Sequence, residues 1–271
     1  MMEEALKSGQ QHNALELAQL APEELRSLLH PFLGGHWQND TPTLRIPYYR
    51  SLDPLHPGFL PGRAEQHLAG NVFSGLTRFQ GNSSEPTGDL AHHWEVSDNG
   101  LRWHFYIRST LHWHNGDKIE TAQLQRSLTA LLALPALRKL FQSVLHIEVT
   151  HPQCLTFTLH QPDSWLAHRL ATYCSRLAHP DQPMTGSGPF RLSVFDTDLV
   201  RLESHEQYHL SHPLLKAIEF WITPTLFDYG LGTSCRHPVQ IAIGEPDELE
   251  SLRLVSNSTS LGFCYLTLKQ S

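Results

Sequence analysis

One stretch of the chain decides the fold: residues 94–108, which read WEVSDNGLRWHFYIR. Apolar and polar side chains alternate along its second half, as they do in a β-strand that buries one face. The apolar face carries Leu101, Trp103, Phe105 and Ile107, and the polar face carries Arg102, His104, Tyr106 and Arg108. Asp98-Asn99-Gly100 separates this strand from a shorter one at Trp94 to Val96, and its residue types favour a hairpin turn. The stretch therefore predicts two antiparallel strands that lay one face on an apolar core.

The next residues are predicted to add a third strand and then a helix. Leu111 to His114 is the predicted strand, closed by the turn Asn115-Gly116-Asp117. Thr121 is predicted to cap the helix and Pro135 to end it. The apolar residues of this helix recur at steps of three and four, which places on one face Leu124, Leu128, Leu131 and Leu132.

Further elements are predicted on both sides of this region. Before it, we expect a helical segment over residues 2–33, a strand from Leu44 to Tyr49 with the turn Leu52-Asp53-Pro54, and a helix from about Ala64 to Leu76. After it, we expect a hairpin of Val144 to Val149 with Leu155 to His160, a helix near Trp165 to Tyr173, and strands at Phe190 to Val194, Leu199 to Glu203, Ile218 to Ile222 and Phe263 to Leu268. Residues 223–260 are predicted to be rich in loops.

The composition excludes several classes of protein. The chain has 271 residues, a formal net charge of −7 with neutral histidines, and 17% charged residues. That length is enough to bury a large core, so folding requires neither disulfides nor a metal. The acidic balance, with no run of lysine and arginine, argues against a basic face for nucleic acid or anionic membrane.

The ends and the cysteines predict a reduced, cytoplasmic protein. The four cysteines are widely spaced and include no Cys-x-x-Cys pair. Glu3 and Glu4 stand where a secretory signal would have a basic start and an apolar run, and no stretch of about 20 apolar residues occurs. No contact with a membrane is expected.

Six segments, taken in order, carry a resemblance to a known family. They are Ser51 to Pro54, Val72 to Arg78, Asp89 to Gly100, Trp103 to Arg108, Trp113 to Asp117, and Gly186 to Phe190 followed by Glu206 to Tyr208. Each is weak alone, but their order over residues 44 to 268 resembles lobe I of the family 5 extracytoplasmic solute-binding proteins, the peptide and oligopeptide receptors of ABC transporters. This resemblance implies an α/β fold with a mixed sheet, as in the lobes of class II periplasmic-binding-protein-like proteins.

Two departures narrow the resemblance. A helical N-terminal segment replaces a signal peptide, and the second lobe that should follow Phe263 to Leu268 is absent. This combination is similar to the SgrR-type transcriptional regulators, in which a winged-helix DNA-binding domain precedes a cytoplasmic solute-binding-like domain. Pro47 to Arg50 and Leu90 to Trp94 strengthen that similarity. It implies a helical linker over residues 1–43, lobe I over 44–262 and a hinge strand over 263–271, with DNA bound only by a domain outside this piece.

The resemblance implies a ligand-sensing function and two groups of site residues. The ligand would be a small metabolite such as a sugar phosphate; the alternative is a transporter receptor for a peptide-like solute. In the family, the strand before the Ser-Leu-Asp-Pro turn lines the cleft, which points to Tyr48, Tyr49 and Arg50, since aromatic rings beside an arginine suit a sugar or an anion. The purely structural alternative is a core tyrosine and a solvated arginine. Gly186, Ser187 and Gly188 form the second group, for which a tight bend is favoured over a ligand contact.

Metal and catalytic sites are the remaining alternatives, and neither is expected. His112 and His114 are two residues apart, and His92, His93 and His104 are close in sequence, but there is no His-Glu-x-x-His motif and no paired cysteine. Ser187 lacks the Gly-x-Ser-x-Gly spacing of a nucleophile. The sequence therefore predicts a protein that is not an enzyme and has no cofactor.

Overall fold

The structure, a computed structural model, describes residues 34–38, 41–81 and 83–224. Several sequence predictions lie outside these residues: the helical segment 2–33, the loops beyond residue 224 and the strand Phe263 to Leu268. The domain boundaries stay predictions, but residues 34–38 and 41–43, which the predicted helical linker includes, lie in β-strands. Within the described residues, no helix is long and apolar enough to cross a membrane.

Eleven strands and four α-helices make up the described part of the chain. The strands are β1 (Gly34–Gln38), β2 (Thr41–Tyr48), β3 (Thr77–Phe79), β4 (Pro86–Gly88), β5 (Ala91–Ser97), β6 (Arg102–Ile107), β7 (Val144–His151), β8 (Cys154–Leu159), β9 (Phe190–Phe195), β10 (Leu199–Ser204) and β11 (Ala217–Ile222). The helices are α1 (Arg63–Val72), α2 (Thr121–Leu132), α3 (Pro135–Arg138) and α4 (Leu166–Leu170). The strands form a five-stranded sheet in the order β1-β2-β11-β10-β9, a four-stranded sheet in the order β5-β6-β8-β7, and the hairpin β3-β4.

The hairpin predicted from residues 94–108 is confirmed as β5 and β6. The two strands pair antiparallel, with Trp94 opposite Phe105. Asp98 and Asn99 have φ angles of 50° and 53°, in the left-handed region that aspartate and asparagine tolerate better than most residues. Trp103, Phe105 and Ile107 are buried in the core, as the alternation indicates.

The predicted third strand, Leu111 to His114, is wrong. Only His112 forms an isolated bridge, with Lys118, because the turn folds the segment back on itself: Ile119 N–H donates to Leu111 O at 2.9 Å. Both edges of β6 are already occupied by β5 and β8. The third strand is therefore β8, which belongs to the hairpin predicted further along the chain.

The predicted helix after this turn is confirmed, but its cap lies one residue earlier. Glu120 is the N-cap, and it forms a reciprocal capping box with Gln123. Thr121 is the first helical residue, and its hydroxyl donates to Pro152 O at 2.5 Å. Pro135 begins α3 after the end of α2.

The five-stranded sheet joins the two ends of the described region. β2 pairs in parallel with β11, with Tyr48 opposite Ile222, while β10 and β9 continue antiparallel beyond β11. The predicted mixed sheet is confirmed. α1 packs beside β9 on a second apolar core that includes Leu68, Val72, Val200 and Leu202. This helix ends four residues before the predicted Leu76, because Phe73 is extended and Ser74 bridges to Leu177.

Opposite faces of β6 give a direct stability test. Phe105 is fully buried, whereas Tyr106 is partly exposed on the other face and donates to Glu95 Oε2 at 3.0 Å. We expect Phe105→Ala to lower the free energy of unfolding by about 3–5 kcal/mol, because it removes buried apolar surface and leaves a cavity. The matched control Tyr106→Ala should cost about 1 kcal/mol or less. Urea unfolding measures both values, and equal losses would contradict the assignment of faces.

Candidate functional site

The first candidate site lies where two parallel strands end. Tyr48 is the last residue of β2 and pairs with Ile222 at the end of β11, and Thr223 N–H donates to Tyr48 O at 2.8 Å. Carboxyl ends of parallel strands meet at one edge of a sheet, which is where open α/β sheets bind ligands. Asp198, in the β9–β10 turn, lies at the same edge, since its carbonyl accepts from Ile222 N–H at 2.8 Å. The predicted Tyr48, Tyr49 and Arg50 therefore stand at an edge suited to binding.

These three side chains pack together in one group, called the stack below, in which the two rings are tilted by 46°. The ring centroids of Tyr48 and Tyr49 are 4.8 Å apart, and the Arg50 guanidinium carbon lies 5.9 Å from each centroid. Tyr48 also packs edge-on against Phe220, whereas Tyr49 is 51% exposed. Burial raises the pKa of Tyr48 to about 12, while a hydrogen bond with Arg50 lowers the pKa of Tyr49. The stack thus offers one anchored ring and one ring open to a ligand.

Arg50 is held by a buried carboxylate. Its two terminal nitrogens contact the two oxygens of Glu65 at 2.8 and 3.1 Å, and the Glu65 side chain is fully buried. Asp53 N–H donates to the same carboxylate at 3.1 Å. Burial raises the pKa of Glu65, but the hydrogen bonds from Arg50 and Asp53 outweigh it, so the net shift is downward. Sequence reasoning missed Glu65, because nothing in the motif around Arg50 points to a partner in a separate helix.

The second predicted group, Gly186-Ser187-Gly188, lies against the carboxyl end of α1. Gly188 N–H donates to Val72 O at 2.9 Å. Neither glycine has a positive φ; the backbone bends at Gly188 and Pro189, and close approach to α1 is the reason for glycine here. A Cβ at Gly186 would lie 2.0 Å from Val72 O, and one at Gly188 would lie 2.4 Å from Asn71 O. The segment is therefore a packing junction between α1 and the start of β9.

The structure does not bring the two predicted groups together. β9 begins two residues after Gly188. It runs in the same direction as β2, because β2 is parallel to β11, β11 is antiparallel to β10, and β10 is antiparallel to β9. Gly188 therefore lies at the edge where these strands start, and Tyr48 at the edge where they end. Six residues of strand separate the two edges by roughly 20 Å.

A cavity of about 590 Å³ opens beside the second group. His114 Nε2 and His205 Nδ1 both contact Gly188 O, at 3.0 and 3.2 Å, and the two rings meet edge to face. Burial lowers the pKa of His114 to about 4 and also lowers the pKa of His205, so both rings are neutral at pH 7. The charged residues that line the cavity are Arg191, Arg201, Glu203, Glu206 and Lys216. His205 lies in an irregular loop, directly before the family segment Glu206 to Tyr208, but the sequence did not single out His205 itself.

The histidines considered as metal ligands are used in other ways. His114 N–H donates to Gly186 O, so His112 and His114 share no strand face. His104 lies on the outer face of β6, where its ring nitrogens are 3.0 Å from the hydroxyls of Ser97 and Thr156. Among the described residues, no group of three or more His, Cys, Asp or Glu side chains is placed to hold a metal ion.

The glycine junction can be tested with a matched pair of substitutions. We expect Gly186→Ala to lower the free energy of unfolding by about 2 kcal/mol or more, because its Cβ would overlap the Val72 carbonyl oxygen. Gly70, within α1, has open space where an alanine methyl group would lie, so Gly70→Ala should stabilise by about 0.5–1 kcal/mol. Thermal and urea unfolding measure whether the two substitutions change stability in opposite directions. A Gly186→Ala variant as stable as the wild type would refute the close approach.

The Arg50–Glu65 pair makes stability depend on pH. Because the folded state lowers the pKa of Glu65 from its ordinary 4.5, the pair stabilises fully above that value and the contribution is lost as pH falls through the lower pKa. We expect Glu65→Gln to cost about 1–3 kcal/mol at pH 7 and less at pH 3. Exposed Glu206, paired with Lys216, is the control, and Glu206→Gln should change stability by at most about 0.5 kcal/mol. A cost for Glu65→Gln that is independent of pH would count against the ion pair.

Comparison with known proteins shows which family the chain belongs to. Residues 85–226 match the profile described as bacterial extracellular solute-binding proteins, family 5 Middle. The chain is 70% identical, over all 271 residues, to "Uncharacterized protein YbaE" of Escherichia coli (strain K12) and covers 48% of it. It is 30% identical over 222 residues to the HTH-type transcriptional regulator SgrR of Yersinia pestis (strain Pestoides F), covering 78% of this chain and 39% of the regulator. The chain thus spans about half the length, or less, of these curated relatives.

A solved structure has the same fold. NikA from Brucella suis, in complex with Fe(III)-EDTA, matches with a TM-score of 0.62 and 20% identity over 68% of this chain and 40% of that chain. The predicted class, an α/β lobe of the periplasmic-binding-protein type, is confirmed, as is the predicted resemblance to SgrR-type regulators. Because the family profile covers more than half of the sequence, the chain belongs to the bacterial extracellular solute-binding proteins of family 5.

Proposed function

We propose that this chain is the ligand-sensing lobe of a bacterial transcriptional regulator and that Tyr48, Tyr49 and Arg50 contact the ligand. The observation that carries the proposal is the aromatic and guanidinium stack at the carboxyl ends of β2 and β11. An open aromatic ring beside a fixed guanidinium suits a sugar or another hydroxylated metabolite, with a sugar phosphate as the first candidate. Similarity to the regulator SgrR supports the regulatory role.

The proposed mechanism is lobe closure. The ligand would bind between this lobe and a second lobe, and its contacts with both would favour the closed form. Closure would bias a DNA-binding domain of the whole protein, which would act in the cytoplasm and catalyse no reaction. Arg50 cannot change partners without removing the ion pair of the buried Glu65 carboxylate, so its proposed role is to position the two rings and to contact the ligand beside them.

The second predicted group has a different place in this proposal. Gly186, Ser187 and Gly188 lie roughly 20 Å along the strands from Tyr48. A ligand contact by this segment would therefore belong to the cavity of His114 and His205 rather than to the edge of the sheet. We assign the sensed ligand to the Tyr48–Arg50 edge and a packing role to the glycine segment.

A transporter receptor is the second candidate function. It is favoured by the family, whose description is extracellular solute binding, and by the fold shared with NikA. The two functions differ in whether ligand changes DNA binding. Fluorescence anisotropy of the full-length protein on its own upstream DNA, with and without sugar phosphates or short peptides, separates them: a ligand-dependent shift supports the regulator, and ligand binding with no affinity for DNA supports the receptor.

Ligand contact at the edge is tested by calorimetry on the full-length protein. With a sugar phosphate that binds the wild type, we expect Tyr49→Ala to weaken binding by about tenfold or more, since a stacked ring contributes on the order of 1–2 kcal/mol. Tyr49 is half exposed, so its loss should not unfold the lobe. Arg138→Ala, on the exposed end of α3, is the control. Undiminished binding by both Tyr49→Ala and Arg50→Ala would remove this edge from the site.

A further inference from the structure

Asp89 is a buried carboxylate that holds several segments together. It is 1% exposed, and its Oδ2 accepts from Gly75 N–H at 3.0 Å and from Arg176 at 2.9 Å. Its Oδ1 lies 2.8 Å from His209 Nε2, and its backbone carbonyl accepts from Arg108 Nε at 2.7 Å. Asp89 therefore ties the β3–β4 hairpin and the end of β6 to the connection between β10 and β11.

Three arginines lie around Asp89, and within the described residues Arg176 is the one bonded to its carboxylate. Arg78 is in β3, which pairs with β4 just before Asp89. Arg176 is paired with Asp89 but keeps a buried Nε that has no partner within the described residues. Arg108 contacts a neutral group, the Asp89 backbone carbonyl. Arg78, in β3, has no hydrogen bond or ion pair from its side chain in the described part of the chain, and its Nε is also buried. Among these four described side chains, positive charge exceeds negative charge by two.

Tyr208 lies beside this cluster, since its ring centroid is 4.7 Å from that of His209, whose Nε2 contacts Asp89. Burial raises the pKa of Tyr208 to about 12, and among the charged groups that act on its hydroxyl, Asp89 raises that pKa further while Arg78, Arg176 and Arg108 lower it. Asp89 already accepts from three side-chain or backbone donors, so it has little capacity left for Arg78.

Unpaired guanidinium groups in a half-buried place have a physical cost. Removing such a group from water without a partner is unfavourable, and the planar donors of arginine match the oxygens of carboxylate and phosphate groups. His209 adds no negative charge, and the nearby Glu85 is exposed and lies 3.5 Å from His168. An anion from outside is the partner that would balance the cluster.

We propose that Arg78, Arg108 and Arg176, with the Tyr208 hydroxyl, form a binding site for the carboxylate or phosphate group of a small molecule. This site is independent of the sensing edge. Asp89 bonds to Gly75, just beyond the carboxyl end of α1, whereas Glu65 and Arg50 lie at its amino end. The ten-residue helix separates the two places by about 15 Å.

Inorganic phosphate and acetate are the probes that test the site. Thermal unfolding and calorimetry of the full-length protein compare each with chloride at equal ionic strength, which removes general screening. The wild type should bind at least one of the two oxyanions and unfold at a higher temperature in its presence. A larger response to phosphate assigns the site to phosphorylated molecules, and a larger response to acetate assigns it to carboxylic acids.

Substitutions locate the response. Arg78→Gln should weaken oxyanion binding by about tenfold or more, because a charged hydrogen-bond donor is lost. Arg78→Lys keeps the charge but loses the planar guanidinium, so its oxyanion affinity should lie between those of the wild type and Arg78→Gln. It also gives a second variant that is expected to fold. Arg102→Gln, an exposed arginine near Asp98 on the β5–β6 turn, is the matched control and should bind like the wild type. The proposal would be overturned if phosphate and acetate changed the unfolding temperature of the wild type no more than chloride does. It would also be overturned if Arg78→Gln and Arg102→Gln bound the oxyanion equally well.

Discussion

The parallel pairing of β2 with β11 is the constraint on which the described lobe depends. These strands are neighbours in the sheet, yet residues 49–216 lie between them in sequence. The buried pair of Arg45 and Glu219, at 2.9 Å, joins positions 174 residues apart and fixes their register. A buried ion pair adds little net stability, but a wrong register would separate the buried Arg45 from the Glu219 carboxylate, which Arg201 and Trp221 also contact. Pairing of this kind is non-local, so the entropy of closing the intervening loop opposes it and makes it slower to form than local contacts.

The intervening region contributes its own core, and the glycine segment connects that core to the sheet. One apolar cluster lies around Phe105 and Phe157 in the four-stranded sheet, and a second lies under α1 and β10. Gly186 and Gly188 pass within contact distance of the last carbonyls of α1, where no side chain fits. The same segment leads directly into β9, so the position of α1, and with it the Arg50–Glu65 pair, depends on this approach.

Sequence reasoning succeeded where a pattern is local and failed where an interaction is distant. The alternation from Leu101 to Arg108 was enough to predict β6 and its buried face, because strand periodicity is a local property. Leu111 to His114 has strand-forming residues, but both edges of β6 were taken by other strands, which local sequence does not reveal. At the candidate site, Tyr48 to Arg50 followed from the family resemblance. Glu65, His205 and the arginines around Asp89 required the tertiary structure, since each meets its partner across a separate element.

The arginine environments differ in a way that separates two modes of recognition. Arg50 meets the buried carboxylate of Glu65 before any ligand arrives, so it contributes shape and stacking more than free charge. Around Asp89, the carboxylate pairs with Arg176, Arg108 contacts the Asp89 backbone carbonyl, and Arg78 has a buried Nε without a partner, so positive charge exceeds negative charge among these described side chains. Because an already neutralised arginine gains little from an anion, the proposed recognition at the sheet edge would depend mainly on the two tyrosine rings. Recognition by charge would belong instead to the proposed anion site at the other end of α1.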